Sequence, residues 1–224
     1  MSSSRVFVIA VAVVFSAQLA SAQDLTRYRT HVLEGSLESV VAVTEGRAAD
    51  ARTLHARPAK IQEFEWRAPY TSASSGPADP VKGAVFSFYN DALYQIVVTY
   101  DSGRTDGLTD GDIIESLTTV YGTPVPKSAK ARPQAVLPDT VVLAQWDSTA
   151  SSVALLRGAY STEFQLVLTS KALSTRAKTA IREAERLDAI DAPRRESEQR
   201  KKEIAESEVA RDKIRATNKA AFRP

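Results

Sequence analysis

Gly83 to Tyr100 reads GAVFSFYNDALYQIVVTY. Two runs rich in β-branched and aromatic residues flank a polar Tyr-Asn-Asp-Ala turn, the pattern of a β-hairpin. Val85, Phe86, Phe88, Leu93, Ile96, Val97 and Val98 make both strands apolar enough for the middle of a sheet, with one face dry and the other at least partly covered. The hairpin carries no catalytic or metal-binding constellation, so it decides architecture and leaves chemistry to be sought elsewhere.

Upstream, IQEFEW (Ile61 to Trp66) alternates imperfectly and is expected to be a strand. The Ser-, Pro- and Gly-rich run from Pro69 to Pro80 is a surface loop. Further back, Ser36 caps a helix carrying Leu37, Val40 and Val41 on one face, and Glu45-Gly46 stops it. Asp24 to Leu33 reads as a mixed leader, and a polar connection containing His55 and Arg57-Pro58 precedes the strand. Downstream, the acidic turn Asp101 to Asp112 ends in a second helix. Thr109 is its N-cap, Asp112 completes a short capping box, and Ile113, Ile114, Leu117 and Tyr121 recur at helical spacing before Gly122 and Pro124. A proline-containing connection (Pro124 to Pro138) leads to three strands in a meander: Thr140 to Trp146, Ser152 to Arg157, and Thr162 to Ser170.

The two halves share one order, namely helix, proline-containing loop, strand ending in tryptophan, hairpin. The helix starts lie 73 residues apart and Trp66 and Trp146 lie 80 apart. The expected fold is therefore α+β: a tandem α-β-β-β repeat (units of about 33–100 and 109–170) forming one six-stranded antiparallel sheet with both helices on one face. After it comes an amphipathic helix docked over 171–192, with Leu173, Ala177, Ala180, Ile181, Ala184, Leu187 and Ile190 as its stripe. Pro193 then interrupts. The remaining 193–224 has large apolar residues only at Ile204, Val209, Ile214 and Phe222, too few and wrongly spaced for a coiled-coil seam, and is expected to be a solvated, partly helical or disordered tail.

Composition bounds the compartment. Arg5, the apolar run Val6 to Phe15 and Ala20-Ser21-Ala22 read as a signal peptide over 1–22, cleaved before Gln23, with an apolar core too short to span a bilayer. No cysteine is present, which excludes a disulfide framework, a thiol nucleophile and a lipid-anchored cysteine. The expectation is an exported protein, periplasmic or secreted, without a transmembrane segment. Gln23 to Ser170 carries 13 Lys+Arg against 17 Asp+Glu, whereas Lys171 to Pro224 carries 15 against 10. An acidic body with a basic tail suits mutual contact or recruitment of an acidic partner.

The Gly-Ser-capped helix followed by three antiparallel strands, with a second helix closing on Tyr121-Gly122-Thr123-Pro124, resembles the small periplasmic modules of the outer-membrane-assembly lipoprotein and the β-lactamase-inhibitor-protein type. The likeness covers roughly Leu33 to Ser170. It implies a binding module whose sheet face or loops contact another exported protein. Membrane anchoring and inhibition are not carried over, because the lipobox cysteine of the first and the paired cysteines of the second are absent.

Candidate chemistry is sparse. Asp101, Asp106, Asp110 and Asp112 could hold calcium, but leucine falls at two ligand positions of the EF-hand template, and helix capping explains the same residues. His31 and His55 are the only histidines and have no nucleophile motif beside them, so a hydrolase or metal-dependent protein stands as an alternative without assigned catalytic residues. No cofactor is expected. Trp66, Tyr94 and Trp146 are candidates for a recognition surface, since aromatics dominate binding hot spots, with core packing as the competing reading. Arg194, Arg195, Arg200, Lys201 and Lys202 form the densest basic cluster. Interleaved acids and the absence of stacking aromatics argue against nucleic acid there, and an envelope surface is the better match. The reading is a non-enzymatic exported protein-binding module, with an envelope-associated structural role through the basic tail as the alternative.

Overall fold

The computed structural model describes residues 24–68, 79–126, 139–221 and 223. The expected signal peptide lies outside them. The chain opens with two short paired strands, β1 (Arg27–Tyr28) and β2 (His31–Val32), in the stretch expected to be a leader. Helix α1 (Leu37–Thr44) follows, then β3 (Arg52–His55), β4 (Ile61–Arg67), β5 (Val81–Tyr89), β6 (Ala92–Tyr100), helix α2 (Asp110–Tyr121), β7 (Thr140–Asp147), β8 (Ser151–Gly158), β9 (Phe164–Ser170) and helix α3 (Lys171–Ala221). Both early helices start and end where their caps place them. Ser36 Oγ accepts the Ser39 amide proton at 3.2 Å, and Thr109 and Asp112 form a complete capping box.

The central hairpin is β5–β6, turning through Asn90 and Asp91, both with positive φ (46° and 69°). Asn and Asp tolerate this left-handed conformation, which the tight hairpin turn demands. Leu93 exchanges backbone hydrogen bonds with Glu34 (2.7 Å) and Gly35 (2.8 Å), tying the entry of α1 to the hairpin.

The seven main strands run in the order β3-β4-β5-β6-β9-β8-β7, all antiparallel. The two three-stranded meanders join through their last strands, with Val97 opposite Val167. This register creates an approximate two-fold relation that carries Val98 onto Leu168. Trp66 lies in the cross-strand row of Ala84 and Val98, and Trp146 in the row of Val153 and Leu168, so the tryptophans occupy equivalent places in the two units. The sheet has seven strands rather than the six expected, because the polar connection after α1 contributes β3 as an edge strand paired to β4.

Alternation divides the side chains between two faces. Phe64, Phe86, Ile96, Val98, Val153, Leu155, Leu166 and Leu168 form one core with Leu37, Val40 and Val41 of α1 and with Ile113, Ile114, Leu117 and Tyr121 of α2, so both helices do lie on one face. The β1–β2 pair packs there too, with the His31 ring 4.7 Å from that of Phe86. On the opposite face, Ala177 and Ala180 of α3 pack on Ile61 and Tyr94, while Ala154, Leu156 and Val167 form a third buried cluster.

Helix α3 follows β9 without a loop and is continuous for 51 residues. At 1.5 Å per residue it measures about 75 Å. Only its beginning is buried, along Ser174, Ala177, Ala180 and Ala184, small side chains that let the helix approach the sheet closely. Ile190, expected in the docked stripe, is 60% exposed. Pro193 does not end the helix, in contrast to the break expected there: it removes one amide donor, and the following residues resume the ladder with Lys202 paired to Glu206 one turn on (3.9 Å).

Candidate functional site

The residues proposed from sequence for partner binding fall into two groups. Trp146 is buried, and its indole N–H donates to the Gly122 carbonyl at 2.5 Å, fastening the end of α2 to β7. Its ring lies 6.0 Å from that of Tyr121. Tyr94 is buried beneath α3, and Trp66 is half-buried against the helix-bearing core. For Trp146 and Tyr94 the recognition reading is corrected: burial places them in the core, where no partner can reach without unfolding. Arg194, Arg195, Arg200, Lys201 and Lys202 are all exposed on α3, and every residue from Pro193 to Ala221 is exposed with them.

The arm these residues form is built in two parts. Near the body three of its cations are paired, Arg194 with Asp191 (4.0 Å), Arg195 with Asp188 (3.1 Å) and Lys202 with Glu206 (3.9 Å), whereas among the described residues Arg200 and Lys201 have no carboxylate within ion-pairing distance. Farther out, Arg211, Arg215 and Lys219 recur every fourth residue and so share one ridge of the helix. Among the described residues none of these three has a carboxylate within ion-pairing distance, so the ridge presents free positive charge. Like charges at this spacing weaken a helix slightly and favour an external anion.

Where the arm leaves the body, Arg57 reaches from the segment between β3 and β4. Its guanidinium binds Asp191 through a short hydrogen bond and lies 3.6 Å from Asp188. Arg57 holds the Asp191 carboxyl below the usual carboxylate range, and Asp191 in turn raises the Arg57 guanidinium. Sequence reading missed these partners although a signal was present. Asp188 and Asp191 continue the spacing of Ala177, Ala180 and Ala184, so carboxylates occupy the body-facing stripe where a cation must meet them.

A depression of about 400 Å³ is lined by Trp66, Arg67, Lys82, Val85 and Gln165, and two more lie elsewhere on the described surface. One, of about 680 Å³, lies at the β8–β9 turn beside Val141, Arg157 and Glu163 and carries Tyr160, which is 94% exposed. The other, of about 380 Å³, runs between α3 and the start of β4, lined by Pro58, Ala59, Tyr89, Thr175 and Thr179. The acidic turn serves local structure. Asp101 accepts from the Arg104 amide (3.1 Å), Asp110 pairs with Arg157 (2.6 Å), and Asp112 caps α2. Among the described residues no group of three His, Cys, Asp or Glu side chains converges to hold a metal ion. His31 sits half-buried on the β1–β2 pair, and His55 ends the edge strand β3. Burial, with Arg29 nearby, lowers the His31 pKa. Tyr28 of β1 clusters with Tyr100 and Tyr121, burial pushes all three phenols up, and the Tyr121 hydroxyl donates to the Arg27 carbonyl (3.2 Å). No helix among the described residues is long and apolar enough to cross a membrane.

Comparison with protein-family models, curated proteins and solved structures finds no match to this chain.

Proposed function

We propose that this chain is an exported, non-enzymatic binding protein that offers a basic helical arm, carried on a tandem α-β-β-β body, to an acidic protein of the cell envelope. The observation that carries this reading is the exposure of α3 from Pro193 to Ala221. That length of helix is exposed throughout, costs chain entropy to order, and ends in the ridge Arg211, Arg215 and Lys219, unpaired among the described residues. Charge that contributes nothing to the fold is available for a partner. Export rests on the N-terminal pattern of Arg5, the apolar run from Val6 and Ala20-Ser21-Ala22. The tandem unit order, in its likeness to periplasmic binding modules, favours a protein partner over a small molecule. A purely structural attachment to the envelope would use the same arm and would need no single partner.

Capture from an envelope fraction at low salt tests the reading. The baits are residues 23–224, a version ending at Ala192, and a variant carrying Arg211→Glu, Arg215→Glu and Lys219→Glu. One recurrent acidic protein held by the first bait and lost from the other two is the expected result. Equal retention by the version ending at Ala192 would move binding to the sheet body, and co-sedimentation with envelopes without an enriched protein would favour the structural role. No association of either kind would sink both.

A further inference from the structure

The point where α3 leaves the body is also its weakest rung. Pro193 lacks the amide hydrogen that would bond the carbonyl of Ala189, and a proline ring crowds that carbonyl, which is the usual origin of a helix bend. Four ion pairs surround this site. Arg57, from the body, binds both Asp188 and Asp191. Arg195, one residue past Ala-Pro-Arg on the distal side, reaches back seven residues, its Nη2 donating to the Asp188 carbonyl (3.0 Å) and to its Oδ1 (3.1 Å). Arg194 approaches Asp191 at 4.0 Å. Each carboxylate is thus shared between one guanidinium of the body and one of the arm. Asp191 is the most enclosed of the group, its side chain 23% exposed.

We propose that Arg57, Asp188, Asp191, Arg194 and Arg195 form an ionic clasp that sets the direction of the arm across a hinge at Pro193, and that raised salt releases it. The arrangement assigns the clasp a job that packing does only in part. The fully buried stripe of α3 stops at Ala184, and beyond it Leu187 and Ala192 are only partly buried, so the ion pairs carry a larger share of the attachment there. The side chains involved are partly in solvent, so mobile ions screen the pairs at high ionic strength while the alanine contacts upstream are left intact. Clasped, the arm extends about 45 Å from Pro193 in one direction. Released, it swings about the proline while α3 stays docked. The clasp orients the arm whatever the arm binds.

The chain has no cysteine, so two introduced ones report cleanly. Spin labels at Val120→Cys on α2 and Ser207→Cys on the arm give the distance distribution between body and arm in the full-length protein. A single narrow distance is expected at low salt. It should be lost in the double variant Arg194→Gln with Arg195→Gln, which removes the pairs that span Pro193, in the double variant Asp188→Asn with Asp191→Asn, and in the unsubstituted clasp at molar salt. Adding Pro193→Ala to Arg194→Gln with Arg195→Gln should restore the narrow distance, because an unbroken ladder needs no clasp. A distribution already broad at low salt, or one unchanged by Arg194→Gln with Arg195→Gln and by salt, overturns the clasp. Failure of Pro193→Ala to restore it overturns the hinge.

Discussion

At Trp146 a single side chain joins two elements: it is part of β7, its ring neighbours Tyr121 of α2, and its N–H satisfies the Gly122 carbonyl at the end of that helix. Trp146→Ala should therefore cost about 3–5 kcal/mol in denaturant unfolding, the range for deleting a large buried aromatic. Trp146→Phe should cost less, about 1–3 kcal/mol, chiefly by leaving the Gly122 carbonyl without its donor. Equal stability of the phenylalanine variant would show that the carbonyl finds another partner. Trp66, at the equivalent place in the first unit, is only half-buried, and Trp66→Ala should cost less than its counterpart. His31 carries a different dependence. Its folded pKa is lowered by burial, and its buried Nδ1 has no hydrogen-bond partner among the described residues, so the unfolded chain binds the proton more readily. The stability that depends on neutral His31 is fully present above about pH 6.5 and is lost as the pH falls through the lowered folded value. Urea midpoints of the parent should fall across this window relative to those of His31→Gln, and parallel pH profiles would remove His31 as the cause.

Elements differ in how plainly their residues announce them. Helix α2 has every marker, and its full extent was legible: Thr109 caps it, Asp112 reciprocates, and Gly122 ends it with φ of 79°. Thr109→Ala should cost about 1 kcal/mol through loss of that cap, measured as a drop in thermal midpoint. The β5–β6 hairpin was equally plain, because its apolar residues serve the middle of a sheet. Strand β3 was not, since Arg52, Thr53 and Leu54 are exposed and pairing to β4 at the sheet edge leaves no apolar period to read. The β1–β2 pair escaped for the same reason, being two residues long on each side and stabilised by contacts distant in sequence such as Arg29 with Asp79 (2.6 Å). Gly83 shows a constraint that only the assembled sheet reveals: a β-carbon there would lie 2.8 Å from the Trp66 carbonyl oxygen. Gly83→Ala should cost about 1–3 kcal/mol, as overpacking does, and an unchanged denaturation midpoint would mean that β4 yields without strain. The candidate site was legible in part. The basic cluster from Arg194 to Lys202 is exposed as expected, whereas Arg57 became its neighbour only through tertiary folding, which brings together residues 134 positions apart.

For the molecule as a whole, α3 has two roles that separate near Pro193. Its first turns are body: Ala177 and Ala180 cover Ile61 and Tyr94 on the face opposite α1 and α2, and each apolar side chain so buried is worth about 1.5–3 kcal/mol. A chain ending at Ser170 should expose that surface, lose several kcal/mol and aggregate. A chain ending at Ala192 keeps the alanine stripe and Asp191 with Arg57, and should retain the thermal midpoint of the full protein. The far-UV helical signal should nevertheless drop by the share of helix that lies beyond Pro193. Both observations are needed, because they test different forces. The midpoint tests packing, whereas the lost helical signal tests whether local charge pairs such as Lys202 with Glu206, each worth about 0.2–0.5 kcal/mol, sustain a helix without a tertiary contact. A much smaller loss of signal would mean that the arm is helical only when something covers it. The ordering entropy would then be met on binding, and the partner would meet a flexible basic segment in place of a preformed helix.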